Sequence, residues 1–307
     1  MLQYRHPIDP KQDASMTEAP KAQIPGVYHR RVGDIVVTAI SDGFLDGNLD
    51  VLRNIEADDA RKILTANYRP ARRTAVNCFL IWSAGRLALV ETGCGSYMAP
   101  TSGKVLANLS AAGVDPADIE AVLLTHMHPD HSAGLTDMTT GKRNYPNAEL
   151  VMHENEPKHW FDDAAMAKGN EREQNLFFKA GRDQTEPYRK QWRLFQKGEV
   201  FLGVTAMPLH GHTPGHSGFL VSSGKEQLLI WGDIVHVPEV QAARPEVCMV
   251  FDTDMGAAEA TRRRTFDMVA SDGLMFTGMH MHFPGFSRLV RDGASYRILP
   301  AAWEQGL

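Results

Sequence analysis

The seven residues Thr-His-Met-His-Pro-Asp-His at positions 125–131 decide the fold class of this 307-residue chain. They follow the apolar run Ala-Val-Leu-Leu at 121–124, which is typical of a short buried strand. Side chains in the loop after such a strand lie at the edge of a sheet, where ligands commonly bind. His126 and His128 point the same way if the chain stays extended, so one metal ion can bind both.

Asp130 and His131 extend this pattern toward a second ion. Both follow Pro129, which bends the backbone, so their side chains can reach an ion beside the first. A single histidine is most often a hydrogen-bonded core or surface residue. Three histidines and one aspartate within six positions at a strand end predict a metal site instead, because imidazole nitrogens and carboxylate oxygens are common metal ligands.

Three further predicted strands also end in side chains that can bind metal. The first is followed by His-Gly-His-Thr-Pro-Gly-His at 210–216, whose glycines and proline favour a tight turn. The second is followed by Asp233, and the third by His280 and His282. Because each loop leaves a strand end as the first motif does, all of them can converge at one edge of a sheet sandwich.

The composition excludes several classes of partner. The formal net charge is −5, so no broad electrostatic attraction to nucleic acid or to an anionic membrane is expected. No apolar run approaches the roughly 20 residues of a membrane span. Residues 1–25 lack the apolar stretch of a signal peptide, and the predicted location is therefore cytoplasmic. The three cysteines are far apart and are expected to be small buried residues.

Periodicity predicts one domain of strands and helices. Residues 1–25 carry four prolines and are expected to form an extended N-terminal arm, and residues 26–307 a single domain. The predicted strands lie at 34–40, 76–82, 86–90, 121–124, 148–152, 204–209, 218–222, 227–231 and 274–277, with a hairpin over 289–299. The predicted helices lie at 57–66, 104–112 and 257–269, with an aromatic-rich helical region at 157–197 and a turn at 41–43. The predicted fold class is α/β, a sandwich of two sheets covered by helices on both outer faces.

The pattern His-x-His-x-Asp-His resembles the metallo-β-lactamase superfamily, and the resemblance covers about residues 26–300. Within it the chain is most similar to the methyl parathion hydrolase and lactonase branch. The features that carry this similarity are the segments 33–43 and 107–113, the loop 125–131, and Phe-Pro-Gly at 283–285. The resemblance implies an αββα sandwich of two mixed sheets with helices on the outer faces.

The resemblance also implies a dinuclear metal centre. Metal one would be held by His126, His128 and His212, metal two by Asp130, His131 and His280, and Asp233 would bridge them together with a hydroxide. His216 would tie its turn by hydrogen bonds, whereas supporting or pocket roles are expected for His210, His236 and His282. One departure is Glu91-Thr-Gly, where the family usually has Asp-Thr-Gly; the longer side chain is expected to shift a hydrogen bond to a metal ligand without emptying the site.

Such a centre would perform metal-dependent hydrolysis. Coordination of water to divalent ions provides a hydroxide near neutral pH, and Asp130 would orient it or pass a proton to the leaving group. Zinc is the default ion for this ligand set, and manganese, cobalt or iron is also accepted. The predicted cofactors are thus two divalent metal ions. The predicted partners are a small-molecule ester or lactone and a second copy of the chain in a homodimer, with no nucleic acid and no membrane.

Several reactions compete within the superfamily. The preferred hypothesis is a hydrolase that opens lactones or cleaves aryl or carboxylic esters, and the main alternative is an organophosphate triesterase. A β-lactamase is disfavoured because those enzymes usually lack the bridging aspartate, and a glyoxalase II-type thioesterase because this chain is expected to end in a hairpin rather than in helices. A non-catalytic metal-binding protein is the remaining alternative.

The resemblance to the methyl parathion hydrolase branch predicts the substrate pocket, from positions that match residues lining it in that branch. Met98, Trp160, Phe177 and His282 are expected to line it. The competing interpretation is that the aromatic residues only pack the helices on the sheet. Met98 is more flexible than an aromatic ring and would give an adaptable slot, which favours a lactone or acyl substrate.

Overall fold

The computed structural model describes residues 19–69, 72–98 and 100–307. Most of the predicted N-terminal arm over residues 1–25 lies outside the described residues, and both the arm and the division into one domain remain predictions. None of the helices in the described part of the chain combines the length and the apolar character that crossing a bilayer requires.

The chain forms eighteen strands in these ranges. In chain order they are β1 (Val27–Val32), β2 (Ile35–Gly47), β3 (Leu52–Arg53), β4 (Arg72–Ser83), β5 (Arg86–Val90), β6 (Ala121–Leu123), β7 (Thr136–Asp137), β8 (Lys142–Arg143), β9 (Glu149–His153), β10 (Trp192–Phe195), β11 (Gly198–Phe201), β12 (Val204–Pro208), β13 (Ser217–Ser223), β14 (Glu226–Ile230), β15 (Cys248–Met249), β16 (Met275–Thr277), β17 (Ser287–Asp292) and β18 (Ser295–Pro300).

Helices connect these strands. The α-helices are α1 (Ala57–Ala66), α2 (Val105–Ala111), α3 (Pro129–Ser132), α4 (Asn155–Trp160), α5 (Asp163–Lys168), α6 (Ala180–Thr185), α7 (Pro238–Ala243) and α8 (Met255–Asp272). Short 3₁₀ helices span Leu49–Val51, Pro116–Asp118 and Glu186–Gln191, and a π-helix spans Glu173–Lys179.

Two seven-stranded mixed sheets carry the architecture. The first has the order β1-β2-β4-β5-β6-β9-β10, antiparallel up to β5 and parallel from there to β10. The second has the order β11-β12-β13-β14-β16-β17-β18, with one parallel pair, β14 and β16. Two-stranded ribbons pair β3 with β15 and β7 with β8.

The two sheets pack face to face, and the alternation of side chains along each strand explains how. On β4, Phe79 and Ile81 lie in the core shared with Phe219 and Ile230 of the second sheet. Leu80, one residue away, lies in a separate core on the outer face of the first sheet, because neighbouring side chains of a strand point to opposite faces.

Helices cover both outer faces of the sandwich. Val105 and Leu109 of α2 join the outer core of the first sheet. Phe266 and Val269 of α8 pack with Trp231 over the second sheet. Together the layers form the αββα sandwich that the sequence predicts, so the predicted fold class is confirmed.

Most predicted elements agree with the structure. The helix at 57–66 coincides with α1, and the terminal hairpin forms from β17 and β18 around residues 293–294. Cys78, Cys94 and Cys248 are buried free thiols, as expected. Helix α8 begins at an Asp254 cap, whose carboxylate accepts from the Ala257 N–H.

Two local predictions are wrong. The region 157–197 is not helical throughout, because Trp192–Phe195 forms strand β10, which pairs in parallel with β9 and is held by an Arg193–Glu149 ion pair of 2.8 Å. Residues 41–43 are not a turn but a bulge within β2, where pairing with β4 shifts register. The bulge turns the Asp42 carboxylate inward, where it accepts from the backbone N–H groups of Cys94 and Lys104 at 2.9 and 2.8 Å.

Candidate metal centre

The loops after β6, β12, β14 and β16 converge where the two sheets meet at one edge. This convergence brings together all seven residues that the sequence predicts as metal ligands. They are His126, His128, Asp130, His131, His212, Asp233 and His280, and they fall into overlapping groups whose donor atoms lie within 4.8 Å of one another. Asp130 is the most exposed of them, with 18% of its side chain accessible.

Three imidazoles form the first cluster. The Nδ1 atom of His128 lies 3.0 Å from Nε2 of His126 and 3.0 Å from Nε2 of His212. Ligand atoms about 2.1 Å from a tetrahedral ion lie about 3.4 Å apart along an edge. The three nitrogens therefore stand close to the spacing of one coordination shell.

A second cluster lies next to the first. Asp130 Oδ2 is 3.6 Å from His131 Nε2 and 3.4 Å from His280 Nε2. Pro129 is the first residue of the short helix α3, which presents Asp130 and His131 from one turn. The bend that the sequence predicts after His128 is therefore this helical turn.

One oxygen of Asp233 contacts both clusters. Its Oδ2 atom lies 3.1 Å from His280 Nε2 and 3.2 Å from His131 Nε2, on the side of the second cluster. The same atom lies 3.4 Å from His212 Nε2 and 3.7 Å from His126 Nε2, on the side of the first. A carboxylate in this position can bridge two ions.

The protonation states suit metal binding. Burial lowers the pKa of His126 and His128 well below the usual histidine value, which leaves neutral rings with free lone pairs. Burial alone would raise the pKa of Asp233, but His131 and His280 outweigh it and hold this pKa well below its ordinary range. Burial alone would lower the pKa of His131 and His280, but Asp233 and Asp130 outweigh it and raise both pKa values. The first cluster thus offers neutral imidazoles beside the ionised carboxylate of Asp233, whereas His131 and His280 must each release a proton to bind metal.

Several of these buried atoms make no hydrogen bond to any described residue. They include Nε2 of His131 and Oδ1 of Asp233. An unpaired buried polar group costs about 1–3 kcal/mol and a charged one costs more, so the observed donor set fits a divalent cation. These residues can therefore bind divalent metal ions.

Neighbouring groups fix the rings. His212 Nδ1 lies 2.7 Å from the buried carboxylate of Asp252, and His280 Nδ1 donates to the Ala75 carbonyl at 2.8 Å. Such partners fix the tautomer and direction of a ligating imidazole. The sequence did not reveal the role of Asp252, because this residue lies 40 positions after His212.

Glu91 stands behind His131, as the resemblance implies for this position. Its Oε1 atom accepts from the Thr125 N–H at 2.7 Å, and Oε2 lies 3.6 Å from His131 Nδ1. Glu91 adopts a φ of 65°, in the left-handed region that non-glycine residues rarely occupy. The longer side chain thus anchors the start of the metal loop while remaining beside the ring of His131.

Glu156 joins the two histidine loops, and the sequence gave no sign of this role. Its Oε2 atom accepts from the Met127 N–H at 2.9 Å and from the Trp160 indole at 2.7 Å. Its Oε1 atom accepts from the Gly215 N–H at 2.8 Å and from the Thr213 hydroxyl. One buried carboxylate therefore connects the loop 125–131 to the loop 210–216.

His216 ties its own turn, the role that the resemblance implies. Its Nδ1–H donates to the Leu209 carbonyl at 2.7 Å, and its Nε2 accepts from the Asp233 N–H at 2.8 Å. The second of these bonds fixes the backbone of Asp233 directly. Gly232, with a φ of 62°, packs against His216 so closely that a Cβ would lie 2.4 Å from Nε2, which explains the glycine before Asp233.

A cavity of about 320 Å³ opens onto the centre. Met98 and Phe177, two of the four residues predicted for the substrate pocket, line it together with Leu176 and Phe251. The Phe177 ring lies 4.7 Å from the ring of His128, so an apolar wall adjoins the first cluster. His236 also faces the cavity, with Nε2 3.0 Å from Asp233 Oδ2, and it can join Asp233 and His212 as a further metal ligand.

The other two predicted pocket residues lie elsewhere. Trp160 is 2% exposed, and it packs behind His128 and lines a neighbouring cavity instead. His282 lines a separate cavity, because its ring turns away to pair with Glu239 at 2.7 Å. The structure therefore does not bring Trp160 and His282 to the cavity over the metal centre.

The family model of the metallo-beta-lactamase superfamily matches residues 71–278. This is more than half of the chain, and the chain belongs to that superfamily. Its His/Asp clusters could hold metal ions.

Two solved structures are similar over nearly all of the chain. The hydrolase AbOPH of the beta-lactamase superfamily has a TM-score of 0.87 at 30% identity, covering 92% of this chain and 100% of that one. AidC, a dizinc quorum-quenching lactonase in complex with the product N-hexanoyl-L-homoserine, has a TM-score of 0.85 at 23% identity, covering 92% of this chain and 99% of that one. The second likeness shows the fold alone.

A curated relative matches over a shorter segment. The uncharacterized protein YobT of Bacillus subtilis (strain 168) is 26% identical over 162 residues, which is 52% of this chain. The match spans 61% of YobT, so the chain covers less than two thirds of the length of this relative.

Replacing Asp233 with alanine should lower the metal content. Asp233→Ala removes the one oxygen that contacts both clusters, and we expect the variant to bind no more than half of the wild-type metal. Elemental analysis of purified protein after equilibration with zinc measures this. Asp46→Ala is the matched control, because Asp46 lines the same cavity but pairs with Arg73. An Asp233→Ala variant with wild-type metal content would contradict the bridging role.

Replacing Glu156 with glutamine should destabilise the fold and weaken metal binding together. The glutamine NH₂ group would face two donors that now share one oxygen, and we expect a loss of about 2–5 kcal/mol in the free energy of unfolding. Urea denaturation with and without metal measures it. Glu154→Gln is the control, since Glu154 is partly exposed and pairs with the exposed Lys158; we expect a loss of less than about 0.5 kcal/mol there. If Glu156→Gln lost the same unfolding free energy with and without metal, Glu156 would support the fold and not metal binding.

Proposed function

We propose that the protein is a dinuclear metal-dependent hydrolase that opens lactones or cleaves aryl or carboxylic esters. The observation that carries this proposal is the position of Asp233 Oδ2, within 3.1–3.7 Å of imidazole nitrogens from both clusters. Zinc is the proposed ion, since nitrogen ligands predominate, and manganese, cobalt or iron suits the same mixed shell.

Two divalent ions held by these residues would supply a nucleophilic hydroxide at neutral pH and a Lewis acid for the substrate oxygen. The protein residues position the reactants around them. Asp130 is the ligand most open to the cavity, and its pKa is held below the usual carboxyl range by His131 and His280 against the effect of burial. It is therefore an ionised acceptor that can orient the attacking water and then carry a proton toward the leaving group.

The cavity supports a small acyl or lactone substrate. Its volume of about 320 Å³ lies at the lower end of the roughly 300–1,000 Å³ typical of ligand pockets. Phe177, Leu176 and Phe251 offer an apolar wall for an acyl chain or ring, and Met98 can adjust to its shape. A phosphotriester needs space for three substituents around phosphorus, whereas a cyclic ester needs one slot. The similarity in fold to the lactonase AidC supports the same choice.

Other reactions of the superfamily fit less well. The bridging aspartate disfavours a β-lactamase, and the C-terminal hairpin β17–β18 disfavours a glyoxalase II-type thioesterase. A purely structural metal site does not need an open cavity, yet Asp130, Asp233 and His280 all line one. The cavity therefore favours catalysis.

Steady-state kinetics on metal-loaded protein tests the proposal. We expect kcat/KM for dihydrocoumarin or an acyl-homoserine lactone to exceed that for methyl paraoxon by at least tenfold, or about 1.4 kcal/mol in transition-state stabilisation. A β-lactam serves as the negative substrate. A tenfold preference for methyl paraoxon would establish the phosphotriesterase alternative instead, and no turnover of any ester by metal-loaded protein would contradict the proposed hydrolase.

A further inference from the structure

Two arginines line the cavity over the metal centre without being part of it. Arg72 is the first residue of β4, and Arg172 precedes the π-helix Glu173–Lys179. Both border the cavity that Asp130, Asp233 and His280 also line. Neither side chain has a role in the metal clusters or in the hydrolytic chemistry proposed above.

The guanidinium of Arg72 is fixed in place but keeps free donors. Its Nε donates to the Asn48 carbonyl at 2.8 Å, and Nη1 donates to the Thr74 hydroxyl at 3.2 Å. Gly47 lies beneath the group, and a Cβ at that position would be 1.7 Å from Nη2. A guanidinium has five N–H donors, and Nη2 donates to no acceptor in the described part of the chain.

Arg172 is an exposed cation with no hydrogen bond or ion pair to any described residue. Other arginines nearby have carboxylate partners. Arg73 holds Asp46 through two hydrogen bonds of 2.8 Å, and Arg182 holds Asp163 at 2.7 Å. The positive charge of Arg172 is thus available to a ligand.

The acidic residues of the cavity have their direct partners elsewhere. Asp46 is already bound to Arg73, and Asp130 and Asp233 belong to the metal clusters. Burial lowers the pKa of Arg72 and repulsion by Arg172 adds to this, whereas attraction by Asp50, Asp130 and Asp46 opposes it. Two cations that repel each other at the mouth of a pocket are stabilised by an anion between them.

We propose that Arg72 and Arg172 form an anion subsite, so that the preferred substrate is an ester or lactone carrying a carboxylate away from the bond that is cleaved. This inference rests on the proposed function. Water adds across the acyl C–O bond to give a carboxylate, an alcohol and a proton, while the distal carboxylate stays unchanged. That group would pair with the planar guanidinium donors, which match a carboxylate geometrically.

A purely structural role explains only part of these contacts. Arg72 connects the end of β2 to β4 through Asn48 and Thr74, but those bonds use Nε and Nη1 and leave Nη2 without an acceptor among the described residues. Arg172 makes no such connection. A structural role in connecting the two strands therefore explains the position of Arg72. It does not explain why Arg72 Nη2 and the Arg172 guanidinium have no acceptor among the described residues.

Matched substrates test the inference on the metal-loaded enzyme. Mono-p-nitrophenyl glutarate carries a distal carboxylate, and its methyl ester has the same chain without the charge. We expect kcat/KM for the anionic ester to be at least tenfold higher at low ionic strength. The ratio should fall to near one in Arg72→Gln or Arg172→Gln, mainly through a higher KM. Arg86→Gln is the control, because it removes the same charge from a residue that pairs with Glu120 and, like Glu120, does not line the cavity, and it should keep the wild-type ratio.

The possible outcomes separate the two proposals. Hydrolysis of both esters at equal efficiency would overturn the anion subsite and leave the hydrolase intact. If neither ester is turned over, the proposed hydrolase fails, and calorimetric binding of glutarate against pentanoate decides the subsite. One carboxylate can reach the metal in both ligands, and only glutarate has a second. Tenfold tighter binding of glutarate that is lost in Arg172→Gln supports the subsite, and equal binding overturns it.

Discussion

The carboxylate of Asp233, buried between two groups of imidazoles, is the interaction on which the rest of the centre depends. A buried charge is unfavourable unless it is paired, and here one oxygen lies within 3.1–3.7 Å of nitrogens from four histidines. These histidines follow three strand ends, and Asp233 follows a fourth, on two different sheets. The sandwich must therefore form before the ligands meet, and metal binding in turn stabilises the sandwich because it satisfies their orphaned atoms.

The supporting contacts show how the loops are held to the spacing that metal binding requires. Glu156 connects the two histidine loops, His216 fixes the backbone of Asp233, and Asp252 directs His212. Each of these groups is buried and polar, and each makes at least one hydrogen bond to a loop that carries a predicted ligand. A ligand set held in this way loses little freedom when an ion binds, which favours both affinity and correct geometry.

The sequence predicted the parts of this structure that depend on local pattern. The strand 121–124 with its loop, the helix 57–66 and the terminal hairpin follow from periodicity and spacing, and the resemblance supplied the seven residues that the structure brings together. The ligand roles of those residues stay predictions until a metal is bound. What the sequence did not reveal depends on contacts between distant segments. Strand β10 forms because β9 offers an edge to pair with, and Glu156 gains its role only when residues 127 and 215 lie beside it. Trp160 and His282 lie outside the cavity over the metal centre for the same reason. A hydrogen bond to Glu156 sets the direction of the Trp160 ring, and one to Glu239 sets that of His282.

Anomalous diffraction from crystals of the metal-loaded protein tests the central claim most directly. We expect two peaks about 3.5–4 Å apart, one among His126, His128 and His212 and the other among Asp130, His131 and His280, with Asp233 between them. A single peak at full occupancy, or two peaks with the Asp233 carboxylate turned away from both, would contradict a dinuclear centre organised by this residue.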